Sequence, residues 1–414
     1  MKTILTLFTL FFAFSHICYA DPAKFELNKL FDVGTILLDI ETGANVYVAT
    51  SDDQKYLRNI IVTTNGVSKS LYELSDLNDD GSSKSLTVSG GLTYKTTNND
   101  TITSRLTGFL YATTYEQAKD AKFKVYTIVD RLNLNRPEPK STTVILHVEY
   151  DEMRIFVPKK TSLVTDIRQS SNTNVYMRVG YPSRNYTYDD NLTFFRNPIN
   201  LLNYNETTDT TTRISHFFDN VEPLQINTDI WYFIADGPVV MTISKKYQNM
   251  SDYTTTAINS TGVVINEGFF EGANVHLILN PANSRVSGFF LSTYVNYETS
   301  FAIQTAEGQA VMMTVGINGS NSIGASGWSP MAATLYNVTS THLEPGRFYS
   351  QYFGYEGAPL PITTTVSTDN PTTQTTTTPT IPTTSQTIQS TTKSHPDPLI
   401  LSIYAFMLCL VIVQ

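Results

Sequence analysis

Short runs with an apolar residue at every second position recur through most of the chain. In one of them, Val239, Met241 and Ile243 alternate with residues of mixed character. Alternate side chains of an extended strand point to opposite faces, so these runs predict half-buried β-strands. The clearest runs are 143–150, 238–244 and 274–280.

Turn-forming dipeptides separate these runs, and no stretch of a dozen residues combines a helical period with helix caps. Asn-Gly and Asp-Gly favour the tight turns that join antiparallel strands. The pattern therefore predicts an all-β fold built from antiparallel β-sandwich units. The dipeptides are Asn65-Gly66, Asp80-Gly81, Asp236-Gly237 and Asn318-Gly319.

The amino-acid composition agrees with an all-β fold, and the net charge argues against nucleic-acid binding. The chain contains 24 Tyr, 22 Phe and abundant Thr, which favour strands over helices. Its formal net charge is -9, with 28 Lys and Arg and no basic run. Because nucleic-acid binding depends on positive charge opposite phosphates, we expect no nucleic-acid partner.

The first twenty residues have the order of a secretory signal peptide. Lys2 precedes an apolar run from Ile4 to Phe14, and Cys18 and Ala20 supply small residues at a cleavage site. The alternative is a transmembrane helix, but about 11 apolar residues span only ~16 Å of a ~30 Å hydrocarbon core. We expect residues 1–20 to be removed.

The C-terminal segment has the order of a GPI-anchor signal. Small residues at 390–392 precede a polar spacer and the apolar run Leu399 to Val413. We predict attachment at Ser390, with Ser385 as the fallback, and removal of residues 393–414. The alternatives are a membrane-spanning segment that stays in the mature protein and a chance apolar tail on a secreted protein.

A Thr-, Pro- and Ser-rich segment, residues 361–392, precedes this signal. Its composition cannot form a core and predicts a disordered, mucin-like stalk. Both cysteines, Cys18 and Cys409, lie in the segments expected to be removed, so the mature chain should contain no disulfide.

Two short motifs suggest an internal repeat. Residues 104–110 (SRLTGFL) align with residues 284–290 (SRVSGFF), and residues 43–48 align more loosely with residues 237–242. We therefore expect two β-sandwich units at 21–130 and 222–305. Further β-rich segments are expected at 131–221 and 306–360.

The strands Gly108–Tyr115 (GFLYATTY) and Gly288–Tyr294 (GFFLSTY) resemble the Gly-Phe-x-Ala-x-Tyr strand of CUB domains. Ala273-Asn274-Val275 and its flanks resemble the preceding strand. The similarity is greatest to the divergent CUB-like domains of nematode surface proteins. It implies jelly-roll sandwiches used in extracellular recognition or adhesion, often in innate defence. The family's cysteines and calcium-binding acids have no counterpart here.

Catalytic motifs of the common hydrolase, nucleotide-binding and zinc families are missing from the sequence. His147 and His276 lie on predicted strands away from the more apolar side, which predicts surface positions. Adjacent acids at 151–152 and 189–190 are typical of solvated turns, and strand neighbours point to opposite faces. We therefore expect no enzyme activity and no catalytic residue.

One segment matches part of a calcium-binding loop. Asp76, Asn78 and Asp80 occupy alternate positions before Gly81, as in the first half of such a loop. Position twelve is Thr87, which cannot supply the bidentate carboxylate. A solvated Asp-Gly turn is the favoured interpretation, so calcium is only a weak candidate cofactor and no other cofactor is expected.

Sequons for N-glycosylation are frequent, and a secretory route would make them usable. Those at Asn191 and Asn259 lie nearest to predicted strand starts. The acceptor asparagines are Asn99, Asn185, Asn191, Asn205, Asn249, Asn259, Asn318 and Asn337.

Together these features predict a GPI-anchored extracellular glycoprotein on the outer face of the plasma membrane. We expect it to act by binding a glycan or protein ligand, in recognition, adhesion or innate defence. The alternatives are an extracellular carbohydrate-active hydrolase and a passive coat glycoprotein.

Overall fold

Antiparallel β-strands make up most of the described part of the chain, which confirms the predicted all-β class. Helical segments there are single turns, at Leu27–Lys29, Gln54–Leu57, Leu71–Leu74 and Tyr115–Lys119. The computed structural model describes residues 21–30, 35–97, 106–148, 161–184, 193–205, 210–246, 252–255, 259–265, 273–279, 285–293, 299–305, 310–315, 320–323, 335–340 and 348–356.

Two four-stranded sheets form the N-terminal part of the fold. Sheet I has the order β2-β7-β4-β5, and sheet II has the order β1-β8-β3-β6. The strands of sheet I are β2 (Thr35–Leu38), β4 (Ile60–Thr64), β5 (Val67–Ser70) and β7 (Leu92–Thr96). Those of sheet II are β1 (Ala23–Glu26), β3 (Asn45–Ala49), β6 (Ser85–Thr87) and β8 (Phe109–Ala112).

Two further sheets follow in the chain. Sheet III has the order β14-β13-β19-β11-β9, with β9 and β11 parallel, and sheet IV has the order β10-β20-β12-β18. The strands of sheet III are β9 (Phe123–Ile128), β11 (Ser141–His147), β13 (Val175–Val179), β14 (Thr193–Asn197) and β19 (Ile230–Ala235). Those of sheet IV are β10 (Arg131–Arg136), β12 (Thr161–Gln169), β18 (Leu224–Asn227) and β20 (Val239–Ser244).

Sheets I to IV stack as four layers. Alternate residues of β3 show this: Val46 and Val48 pack toward sheet I, whereas Tyr47 and Ala49 pack toward sheet III. In sheet III, Tyr232 faces sheet II. The next residues on either side, Trp231 and Phe233, face sheet IV. Sheets II and III are therefore covered on both faces, which buries their apolar surface.

The remaining strands form a hairpin and two five-stranded sheets. Sheet VI has the order β17-β22-β29-β24-β27 and sheet VII the order β21-β23-β28-β25-β26. The hairpin, sheet V, consists of β15 (Ile199–Asn205) and β16 (Thr210–His216). Sheet VI comprises β17 (Asn220–Val221), β22 (Ser260–Ile265), β24 (Arg285–Thr293), β27 (Ser320–Ile323) and β29 (Phe348–Glu356). Sheet VII comprises β21 (Asp252–Thr255), β23 (Ala273–Leu279), β25 (Thr299–Thr305), β26 (Ala310–Val315) and β28 (Leu335–Ser340).

Strand pairing runs across residues 130 and 221, where the sequence predicts domain boundaries. In sheet III, β9 precedes residue 130, β19 follows residue 221, and β11, β13 and β14 lie between these two positions. In the first predicted repeat, β3 pairs with β8. In the second, β20 pairs with β10 and β12, and β24 pairs with β27 and β29. The corresponding strands of the two copies thus have different neighbours.

The period-two runs are strands, as predicted, but their exposure differs. In β20, Val239 and Met241 are buried and Val240 is 42% exposed, which confirms a half-buried strand. In β11 every residue is buried, because sheets II and IV cover both faces of sheet III. The prediction that His147 lies at the surface is therefore wrong: it is 3% exposed.

Candidate functional site

The segment identified from the sequence as a weak calcium candidate is a tight turn before β6. The backbone N–H of Gly81 donates to the Asn78 carbonyl at 2.9 Å, and a single β-bridge joins Leu77 to Ser83. The Asn78 amide donates to the Ser82 hydroxyl at 3.0 Å. These contacts are those of an Asp-Gly turn held by its own polar groups.

The two candidate ligand carboxylates of this turn, Asp76 and Asp80, face lysines. Asp76 forms an ion pair with Lys84, and Asp80 lies 3.1 Å from the Lys124 ammonium. Hydrogen bonds from Ser82, together with Lys124, outweigh desolvation and lower the pKa of Asp80 to about 2. Calcium binding at Asp76, Asn78 and Asp80 stays a prediction. A bound ion would have to compete with the serine and lysine donors for the two carboxylates.

Metal-ligating residue types do not cluster in the described ranges: no group of three or more His, Cys, Asp or Glu side chains there could hold an ion. His147 instead packs inside sheet III, where its Nδ1 lies 3.1 Å from the Ser162 hydroxyl. The same hydroxyl accepts from Trp231 Nε1 at 3.3 Å. Since Ser162 and Trp231 are fully buried, this trio joins sheets III and IV.

Three predicted glycosylation asparagines fall in the described residues. Asn205 ends β15, Asn337 lies on β28 between β23 and β25, and Asn259 lies directly before β22. The other predicted acceptors and the predicted anchor residue Ser390 lie outside these ranges. So do the predicted signal peptide, stalk and C-terminal signal.

A cluster of aromatic and charged side chains forms where sheets II and III meet at the surface. We call it the aromatic–ionic patch. Its members come from the turn before β3, the helix Tyr115–Lys119 and the segment after β13. They are Glu41, Tyr115, Glu116, Tyr181 and Arg184.

Arg184 holds the ionic half of the patch together. Its Nη2 lies 2.8 Å from Glu41 Oε1 and 2.9 Å from Glu116 Oε2. The second oxygen of Glu41 accepts from the backbone N–H of Tyr115 at 3.0 Å. One guanidinium and one carboxylate thus connect three segments that are far apart in the chain.

A capping box positions the short helix of the patch. The Thr114 hydroxyl accepts from the Gln117 N–H, and the Gln117 side chain accepts from the Thr114 N–H, both at 3.1 Å. The Gln117 amide also donates to the carbonyls of Pro182 and Ser183, at 3.1 and 3.2 Å. The same residue therefore caps the helix and fixes the backbone between Tyr181 and Arg184.

Both tyrosines of the patch are partly exposed to solvent. Tyr115 and Tyr181 are each 37% exposed. Tyr181 packs on the buried Tyr111, with 5.8 Å between ring centroids. Tyr115 covers Gly43, where an added Cβ would lie 2.3 Å from the ring, and the Lys119 ammonium lies 4.0 Å from its centroid. Contacts with Tyr111, Gly43 and Lys119 therefore hold the two rings in place.

The charges of the patch stabilise one another. Desolvation opposes the charge of Arg184, but hydrogen bonds and charges from Glu41 and Glu116 outweigh it and raise the pKa of Arg184. A hydrogen bond from its own backbone N–H, with a contribution from Arg184, lowers the pKa of Glu116. The patch thus combines fixed aromatic rings with an arginine that is ion-paired to two carboxylates, an arrangement suited to binding a polar ligand with apolar faces.

Sequence reasoning missed this patch because its residues come from three distant segments. One local signal marks part of it: Thr114-x-x-Gln117 matches a capping box after a strand, which predicts a helix start. Nothing in the spacing of Glu41 or Arg184 indicates that they meet.

The fold and this surface define an all-β protein whose described part contains no helix long and apolar enough to cross a membrane. A family model described as "Transmembrane glycoprotein" matches residues 41–411. The chain belongs to this transmembrane glycoprotein family and is a membrane-associated glycoprotein. A comparison with curated proteins found no match.

Solved structures align with the chain only weakly. The insecticidal delta-endotoxin Cry8Ea1 from Bacillus thuringiensis aligns with 80% of this chain at 8% identity and a TM-score of 0.20, and the chain spans 54% of that protein. Two infectious bursal disease virus structures, a VP2 subviral particle and a T=1 particle, align at TM-scores of 0.10 and 0.11. The VP2 subviral particle is 10% identical, and the alignment covers 81% of this chain and 66% of that one. The T=1 particle is 11% identical, with 82% of this chain and 78% of that one covered.

Proposed function

We propose that the protein is a GPI-anchored glycoprotein on the outer face of the plasma membrane. The N-terminal signal, the C-terminal order of small residues, spacer and apolar run, and membership of a membrane glycoprotein family support this. Ser390 is the attachment site in this proposal. The Thr-rich stalk would hold the folded part away from the bilayer.

The protein acts, in this proposal, by binding a ligand in recognition or defence, and not by catalysis. The resemblance to divergent CUB-like domains supports a recognition role. The observation that carries the proposal is the aromatic–ionic patch, in which exposed Tyr115 and Tyr181 flank carboxylates fixed by Arg184.

We assign a glycan as the ligand of this patch. A sugar ring has apolar C–H faces that pack on tyrosine and hydroxyls that donate to carboxylates. The two rings are immobilised by Tyr111 and Gly43, so little side-chain entropy is lost on binding. Each carboxylate oxygen can accept more than one hydrogen bond, so Glu41 and Glu116 retain acceptor capacity for hydroxyl donors beside Arg184.

Two measurements test this proposal. Phosphatidylinositol-specific phospholipase C should release the mature protein from the cell surface; retention of the protein would indicate a membrane span instead. The released protein should bind selected glycans on an array of host and microbial sugars, with and without EDTA. Loss of binding in EDTA would support the calcium site at Asp76 to Asp80.

Variants assign the binding to the patch. Tyr181→Ala and Tyr115→Ala should each weaken glycan binding about tenfold, equivalent to ~1.4 kcal/mol. Tyr56→Ala is the matched control, because Tyr56 is 41% exposed but lies outside the patch. Equal binding by all three variants, or no glycan binding, would contradict the proposal and favour a protein ligand or a passive coat role. Release of free sugar from a bound glycan would indicate a hydrolase.

A further inference from the structure

Asn259 is a sequon asparagine whose backbone and side chain are both constrained. It is partly buried and has φ +55°, in the left-handed region, directly before β22. Its carbonyl accepts from the Asn220 N–H at 3.2 Å, next to the parallel pairing of β17 with β22. The residue therefore lies at a junction between two segments.

Both the nitrogen and the oxygen of the Asn259 side-chain amide form hydrogen bonds within the fold. Its Nδ2 donates to the Phe217 carbonyl at 3.2 Å and to Asp219 Oδ2 at 2.7 Å. Its Oδ1 lies 2.7 Å from Nε2 of His216. A primary amide has two N–H donors, and here both are occupied.

Glycosylation would remove one of these donors. The transfer forms a bond between Nδ2 and sugar C1, breaks the bond from C1 to the lipid diphosphate donor and releases one Nδ2 proton. The secondary amide that results has a single N–H, and the sugar takes the direction of the other. It could not donate to both Phe217 and Asp219.

The sequon hydroxyl is engaged as well. Thr261 is fully buried, and its hydroxyl donates to the Tyr352 carbonyl at 2.7 Å and accepts from Gln351 Nε2 at 3.0 Å. Residues 259 and 261, which make the sequence an acceptor, are both used by the fold.

We propose that Asn259 escapes glycosylation and serves as a staple between the 216–220 segment and β22. Its partners are made first: His216, Phe217 and Asp219 precede it by 43, 42 and 40 residues. At roughly 5–20 residues per second this is a lead of ~2–9 s. The staple can therefore close as Asn259 enters the lumen, before the amide is modified.

Glycopeptide mass spectrometry of the full chain from a secretory host tests this inference. Enzymatic deglycosylation in ¹⁸O water marks each occupied asparagine as labelled Asp. We expect no label at Asn259 and full label at Asn205, which ends a hairpin strand. Label at Asn259 in folded, surface-exposed protein at the level of Asn205 would overturn the proposal.

The variant Asp219→Ala separates the staple from a poor acceptor sequence. Removing this partner should raise the occupancy of Asn259 from none to a detectable fraction, measured on total cellular protein so that folding is not required. Continued absence of label would show that the local sequence, and not the staple, prevents modification, and would overturn the mechanism.

Asn259→Gln and Asn205→Gln form a matched pair: the first should lower the thermal midpoint without changing glycoprotein mass, and the second should reduce mass by one glycan.

Discussion

Glu41 and Arg184 lie 143 positions apart in the chain, yet their side chains form a 2.8 Å ion pair. Both are largely shielded from water, at 16% and 13% exposure. The pair connects the turn before β3 in sheet II to the segment after β13 in sheet III. It therefore contributes to the contact between the two central layers as well as to the proposed glycan site.

A double-mutant cycle on Glu41→Ala and Arg184→Ala should give a coupling energy of about 1–2 kcal/mol, because both groups are partly desolvated and hydrogen-bonded. Urea denaturation of the wild type, both single variants and the double variant measures it. The control pair is Lys55 and Asp53, whose side chains are 66% and 68% exposed. Its coupling should stay below about 0.5 kcal/mol, and similar values for both pairs would refute the prediction.

Asp80 should stabilise the fold at neutral pH and lose this effect in acid. Its pKa is about 2 in the folded chain against an ordinary value of 3.8, so the contribution is complete above 3.8 and disappears as pH falls toward 2. The thermal midpoint of Asp80→Asn should lie below that of the wild type at pH 7. The gap should close between pH 4 and pH 2. Asp79→Asn, at an exposed neighbour, is the control; an unchanged gap for Asp80→Asn at low pH would disprove the assignment.

Tyr94→Phe should leave the protein as stable as the wild type or up to about 1 kcal/mol more stable. The Tyr94 hydroxyl is buried in the core between sheets I and II without a hydrogen-bond partner among the described residues. Tyr349→Phe is the contrasting change, because the Tyr349 hydroxyl accepts from the Asn227 N–H at 3.3 Å. It should cost about 1–3 kcal/mol in urea denaturation, and the reverse ranking would contradict both assignments.

Gly108→Ala should destabilise the fold by at least ~2 kcal/mol, since an added Cβ would lie 2.1 Å from the Ala49 carbonyl oxygen. Its φ of +110° adds strain for any other residue. Gly66→Ala is the matched control: its φ is +80° and no atom lies within 4 Å of the added carbon. It should cost only about 1 kcal/mol by thermal denaturation, and equal losses would show that crowding at Gly108 is not decisive.

Local patterns predicted the three clearest strand runs and the Asn65-Gly66 turn correctly. Asn65 and Gly66 have positive φ and close the hairpin of β4 and β5, as an Asn-Gly turn should. The burial of His147 could not be predicted in this way. Alternation along one strand shows which face is more apolar, but it does not show that a second sheet covers the other face.

The patch lay beyond sequence reasoning for a related reason. Residues of the patch meet only because sheet II stacks on sheet III, and stacking depends on contacts that no single segment encodes. Tyr181 is an ordinary surface aromatic in the sequence, and only its packing on Tyr111 fixes its ring.

The position of β29 determines how the molecule would bear mechanical load. β29 is the last described strand, and it lies inside sheet VI, paired antiparallel with β22 on one side and β24 on the other. Under the proposed C-terminal anchor, a pull from the membrane reaches the described part of the fold at this strand. The hydrogen bonds of both ladders lie across that direction, so they share the force and must break together. Tension on the proposed anchor would therefore meet shear resistance at β29, whose Tyr349 packs on Phe194 of β14 and so links sheet VI to the stack.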